Sequence, residues 1–149
     1  MLISKESIFL NENLTSQEEV FRFIAQKAVA LGVSADENAV YSGLVEREQQ
    51  GTTGMMDGFA IPHAKSSAIT TPKIVIVRLK KGIDWNSMDG KPTLFIFSLL
   101  IPDGEAGTTH LKLLATVARM LMKANVKEAL LGARTADQLE GVLNSHLGA

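Results

Sequence analysis

The stretch GFAIPHAK, residues 58–65, closes a short apolar run with a histidine placed directly after a proline. A neutral imidazole at a strand end presents a nitrogen lone pair, which can attack an electrophile or take up a proton. The loop leading into it runs Arg47-Glu48-Gln49-Gln50-Gly51-Thr52-Thr53-Gly54-Met55-Met56-Asp57-Gly58. Its glycines let backbone amides come close to a ligand. Hydroxyls and amides can surround an anion, and a guanidinium can grip two oxygens of a carboxylate or phosphate. Thr53, Gly54, Gly58 and Pro62 are therefore candidate walls of an anion pocket beside His63, with Arg47 as its cation. The loop is not a Walker A sequence, because no Gly-Lys-Thr or Gly-Lys-Ser follows at the required spacing, and it has no dinucleotide fingerprint.

His110 is the second candidate. It follows Thr108-Thr109 where a long helix is expected to begin. Free amides and a partial positive charge at a helix start keep an imidazole neutral and favour an anion beside it. Two neutral rings and one arginine around a phosphate-sized space make a phosphoryl site. One ring supplies the nucleophile and the other donates a hydrogen bond.

Each feature also has a plain structural reading. A Pro-His pair at a strand end is often only a turn, and His110 alone is often only a helix-start residue. Arg47 with Glu46 and Glu48 can be a solvated helix face, and Lys65 reads as a solvated lysine that at most steers phosphate or acidic partners. Leu111, Leu113, Leu114, Val117, Leu121 and Met122 recur as core, and His146 suits the negative end of the last helix. A metal hydrolase built on His63, His110 and Asp57 is the weakest option, since the chain has no paired-histidine ligand spacing.

The elements that must position these groups follow from periodicity and capping. Ser4 to Leu10 reads as a short strand. Thr15-Ser16-Gln17-Glu18 fits a capping box ahead of a helix with Val20, Phe21, Ile24, Ala28 and Leu31 on one face. Ser34-Ala35-Asp36-Glu37 repeats the pattern ahead of a second helix carrying Val40, Tyr41, Leu44 and Val45 and ending near Gln50-Gly51. GFAIP and KIVIVRL (73–79) read as strands, and TLFIFSLLI (93–101) as a central strand buried on both faces. Helices then follow over about 108–123 and 126–131, and Thr135-Ala136-Asp137-Gln138 caps a last one with Leu139, Val142 and Leu143 inward. Helices, strands, then helices predict an α/β or α+β sheet covered on both faces.

Composition narrows the chemistry. The 149 residues suit one domain, expected to span 1–149, and 46% of them are hydrophobic. A net charge of −1 gives no bulk attraction to nucleic acid or anionic lipid. The absence of cysteine removes disulfides, thiolate catalysis and Cys-ligated zinc. No run reaches the roughly 20 apolar residues of a membrane span. The start, MLISKESIFLNENL, lacks the order of a signal peptide, so a cytoplasmic protein is expected.

The combination is more specific than its parts. REQQGTTGMMDGFAIPHAK followed by HLKLLATVARML resembles the IIA domains of the fructose–mannitol class of the bacterial phosphoenolpyruvate-dependent sugar phosphotransferase system (PTS) over nearly the whole chain. The matching positions are Arg47, Glu48, Thr53, Gly54, Gly58, Ala60, Ile61, Pro62 and His63. Many members carry Gly-x-Gly-x-Gly through the turn, whereas Met56 stands at the middle position here, so either the turn differs or only Gly54 and Gly58 need glycine's freedom. The resemblance implies an α/β fold with a mixed β-sheet of about five strands flanked by helices on both faces. It implies a phosphotransferase relay, closest in wording to fructose-type members. His63 would accept a phosphoryl group from phospho-HPr and pass it to a cysteine on a separate IIB chain, itself associated with a membrane IIC part. His110 would orient the site and Arg47 would neutralise charge, without metal or other cofactor. The alternative within the family is a regulatory, nitrogen-type protein in which the phosphorylation state of His63 controls protein partners. Phe59, Met55 and Met56 are candidates for the apolar part of a docking surface, although strand alternation equally allows Phe59 to face the core.

Overall fold

The computed structural model describes residues 3–105 and 108–147; the side chains of residues 105–110 also lie outside the described set. The strands are β1 (Ile8–Glu12), β2 (Phe59–Ala60), β3 (His63–Ser66), β4 (Lys73–Ile83) and β5 (Thr93–Pro102). The helices are α1 (Gln17–Ala30), α2 (Glu37–Gln49), α3 (Thr108–Met120), α4 (Ala124–Gly132) and α5 (Ala136–Leu147). One five-stranded sheet runs β1-β4-β5-β2, with β3 also on β5. The β4–β5 pair is antiparallel and the other pairs are parallel, so the sheet is mixed, as the resemblance implied.

Helices cover both faces. On one, α1 and α2 bury Val20, Phe21, Ile24, Val40 and Leu44 against Val75, Val77, Ile96 and Leu100. On the other, α3, α4 and α5 bury Val117, Leu130, Leu139 and Leu143 against Phe95, Phe97, Ile74 and Ile76. The alternation of inward residues along β4 and β5 therefore feeds two cores, as a doubly covered sheet requires.

Local signals were displaced rather than absent. The cap of α1 is Ser16, whose side chain accepts the Glu19 amide at 3.1 Å, while Glu19 reaches back to Thr15. The cap of α2 is Asp36, accepting from the amide of Ala39 at 3.1 Å. At α5 Thr135 accepts the Gln138 amide at 3.1 Å, as its sequence suggests. Near the start, a 3-10 turn at Lys5–Ser7 takes the first part of the expected strand, and β1 begins only at Ile8.

GFAIP is not one strand. β2 stops after Ala60, and β3 resumes at His63 in the same register on β5, with Phe59 opposite Phe95 and His63 opposite Leu99. The interruption falls at Ile61-Pro62, where proline has no amide hydrogen to give a ladder and is tolerated only at an edge or irregularity. His63 is thus the first residue after the break, facing the space beside α2.

Candidate functional site

The site is assembled where α2 lies against β3. Small residues make the approach close. A Cβ added at Gly43 of α2 would stand 3.1 Å from the Cβ of Ala64 in β3. Arg47 lies one helical turn beyond Gly43, on the same face. The close seam therefore delivers its guanidinium to His63.

Both ring nitrogens of His63 are engaged. Arg47 Nε lies 2.9 Å from His63 Nε2, and His63 Nδ1 lies 2.9 Å from the carbonyl oxygen of Ile61. A guanidinium can only donate, so Nε2 must be the accepting nitrogen. The hydrogen is then on Nδ1 and donates to the Ile61 carbonyl; the assignment follows from the network. The ring is neutral in this arrangement, with its lone pair on Nε2 directed at the arginine. His63 is 7% exposed and opens into a groove of about 330 Å³ lined by Gly43, Glu46, Arg47, Gln50 and Lys65. Arg47 also donates through Nη1 to the Gly51 carbonyl at 2.8 Å, which ties the start of the loop to the guanidinium.

The loop is braced from below. The Glu48 carboxylate accepts the Thr53 amide at 2.9 Å and also the Thr53 hydroxyl. That hydroxyl in turn accepts the indole N–H of buried Trp85 at 3.2 Å. Thr53 thus directs its amide and hydroxyl hydrogens at Glu48. It ties the loop to the end of α2 through Glu48 and to the connection between β4 and β5 through Trp85. In sequence Glu48 reads as one more charge on a solvated face and nothing local marks Trp85; the Glu48–Thr53 spacing within the motif is the available signal.

The glycines divide the work in the turn. Gly58 has φ +86°, a conformation that other residues adopt only with strain. Gly54 matters by contact instead: an added Cβ would lie 2.8 Å from Ser87 Cα and from Trp85 Cδ1. Met56 is not among the positive-φ residues; Asp57, at φ 60°, takes that conformation. The methionine therefore replaces glycine without requiring the left-handed backbone. Pro62 is buried at the strand break, and its carbonyl accepts the Leu99 amide at 3.0 Å.

Asp57, a candidate metal ligand in the sequence, pairs with Lys127 of α4 and with Lys91 at 3.5 Å. Hydrogen bonding and charge from Lys127, followed by Lys91, hold its carboxyl below the usual carboxylate range. Its amide donates to Asp89 at 2.9 Å, and that bond is the first cause of a lowered Asp89 carboxyl. Phe59 is fully buried and belongs to the α3–α5 core, Met55 packs partly buried against the same core, and Met56 is half exposed. His110 is in the first turn of α3, as expected, but its side chain lies outside the described residues. His146 is exposed in the last turn of α5. No helix among the described residues is long and apolar enough to cross a membrane.

Residues 1–146 match the family model described as phosphoenolpyruvate-dependent sugar phosphotransferase system, EIIA 2. The chain is 37% identical over 138 residues to the PTS system fructose-specific EIIA component of Haloferax volcanii, covering 93% of this chain and 89% of that protein. It is equally 37% identical, over 142 residues, to a nitrogen regulatory protein of Bradyrhizobium diazoefficiens, covering 95% of this chain and 92% of the relative. Among solved structures, it resembles the mannitol IIA enzyme of Escherichia coli in its complex with phosphorylated mannitol IIB. The TM-score is 0.81 at 18% identity, over 96% of this chain and 97% of that one, a likeness of fold.

Proposed function

The chain belongs to the EIIA 2 family of the phosphoenolpyruvate-dependent sugar phosphotransferase system, and from that premise we propose that it is a phosphocarrier of sugar uptake, fructose-type, with His63 as the carrier residue. His63 accepts the phosphoryl group from phospho-HPr and passes it to a cysteine on a separate IIB chain, in the cytoplasm beside a membrane IIC part. Residues 1–149 act as one EIIA unit.

The observation that carries this reading is the doubly held ring. With its hydrogen on Nδ1 and bonded to Ile61, His63 has its lone pair fixed on Nε2. Arg47 must release that lone pair for the incoming phosphorus. The Nε2–P bond forms as the P–N bond to the donor histidine breaks, and the bonding pair returns to the donor ring. The His63 ring gains positive charge, which the Ile61 carbonyl disperses. Released from the ring, the Arg47 guanidinium is placed to neutralise the phosphoryl oxygens. Such a step needs alignment and charge stabilisation above all, and draws on neither metal nor nucleotide. His110 orients or stabilises the phosphoryl group from the start of α3.

The test is phosphorylation by phospho-HPr. Wild type is expected to gain acid-labile phosphate and His63→Ala to gain none while keeping its fold by circular dichroism; a labelled His63→Ala protein overturns the assignment. A second reading is favoured by the equal identity to a nitrogen regulatory protein. There the same phosphohistidine controls a protein partner and needs no IIB acceptor. A panel of IIB proteins separates the two: transfer to one of them supports transport, and phosphorylation without any acceptor in the panel favours regulation.

A further inference from the structure

The groove beside His63 contains one cation that the phosphocarrier reading does not use. Lys65 is two residues beyond His63 in β3, so alternation places the two side chains on the same face of the strand, about 7 Å apart at their bases. Both line the groove that Arg47 enters. Lys65 is exposed, and among the described residues its ammonium makes no hydrogen bond or ion pair, although Glu46 lines the same groove. Lysines elsewhere do pair: Lys91 and Lys127 both meet Asp57.

The charge arrangement gives this cation a use. Arg47 and Glu46 cancel within the groove, so Lys65 supplies its net positive charge. A phosphoryl group on Nε2 of the nearly buried ring has to emerge into this space. We propose that Lys65 is a positioning residue for the phosphoryl group, gripping phosphohistidine 63 from the strand side while Arg47 grips it from α2. A lysine stem is long enough to span two strand residues, and an ammonium suits a phosphoryl oxygen as a point charge. The inference rests on the phosphocarrier reading of His63 and adds a residue to it.

The experiment loads the full chain chemically with phosphoramidate, independently of any protein donor, and follows the phosphohistidine by phosphorus NMR as a function of pH in high salt. A cation in contact disfavours proton uptake by the phosphohistidine, whereas a solvated one is screened. Lys65→Gln is expected to raise the titration midpoint by about one unit. Lys65→Arg is expected to restore the wild-type curve. A Lys65→Gln curve superimposed on wild type, or one that Lys65→Arg fails to correct, overturns the role of Lys65 and leaves the carrier reading standing. If the wild-type signal instead persists unchanged in His63→Ala, the phosphate is not on His63, and the carrier reading falls together with the inference.

Discussion

The two faces of the sheet are built differently. Against the α3–α5 face stand large side chains, including Phe59, Phe95, Phe97 and Leu99, filling the space beneath Val117, Leu130, Leu139 and Leu143. The other face contains large residues too, such as Phe21 and Trp85, but at the seam of α2 with β3 the packing is done by Gly43 and Ala64. Large residues bury area and hold helices at the usual distance. Small ones let two backbones approach. The first kind of packing stabilises the molecule, whereas the second places Arg47 within 2.9 Å of a histidine nitrogen. One face is therefore mainly a source of stability, and one seam of the other is a positioning device.

If that division holds, a substitution deep in the α3–α5 face should cost stability and leave the chemistry alone. Leu143 of α5 is fully buried in that core. Leu143→Ala is expected to destabilise the protein by about 2–5 kcal/mol, the range for a buried leucine truncated to alanine. Denaturant unfolding measures the loss, while the phosphorylation rate per folded molecule stays at the wild-type value. A rate that falls in step with stability would break the comparison.

The reverse signature is expected at Arg47. Arg47→Lys keeps the charge but loses the planar fork and the Nε donor that meets His63. Its transfer rate should drop by about 100-fold, the scale on which one lost transition-state donor is felt. Its unfolding midpoint should barely move, because Arg47 is only partly buried at the helix end. Stopped-flow measurement of phosphoryl uptake, with thermal unfolding alongside, tests both halves.

How much of this could be read beforehand depends on the range of the interactions. His63 and Arg47 were visible because a long motif fixes residue types at close spacing. A sheet covered on both faces is legible because β4 and β5 are apolar runs of strand length; that it is mixed follows only from the family resemblance, since no local pattern states which strands run antiparallel. The caps of α1 and α2 lie one and two positions beyond the sequence pattern, since Thr15, Ser16, Ser34 and Asp36 are all competent caps and only the folded backbone selects Ser16 and Asp36. The break at Ile61-Pro62 was legible in principle, because proline cannot donate to a ladder, but the run reads as one strand until its partner is known. The brace through Trp85 was not legible. It joins Thr53 to a residue 32 positions away, and no local pattern encodes that meeting. The seam at Gly43 was hidden for the same reason: its partner, Ala64, belongs to another element.

That seam supplies the smallest effect and the sharpest one. Gly43→Ala adds a methyl group 3.1 Å from Ala64 Cβ, a contact that requires a shift of a few tenths of an ångström. Alanine in place of glycine favours the helix by about 1 kcal/mol. Overpacking costs a similar amount, about 1–3 kcal/mol. The two oppose each other, so the unfolding free energy should change by no more than about 2 kcal/mol. The displacement, however, is applied one turn before Arg47, where the hydrogen bond to His63 tolerates little lengthening. A several-fold slower phosphoryl uptake with nearly unchanged stability is therefore expected, measured by the same stopped-flow and unfolding experiments. If Gly43→Ala transfers at the wild-type rate, the closeness of α2 to β3 is only packing, and the distinction between a stabilising face and a positioning seam does not hold.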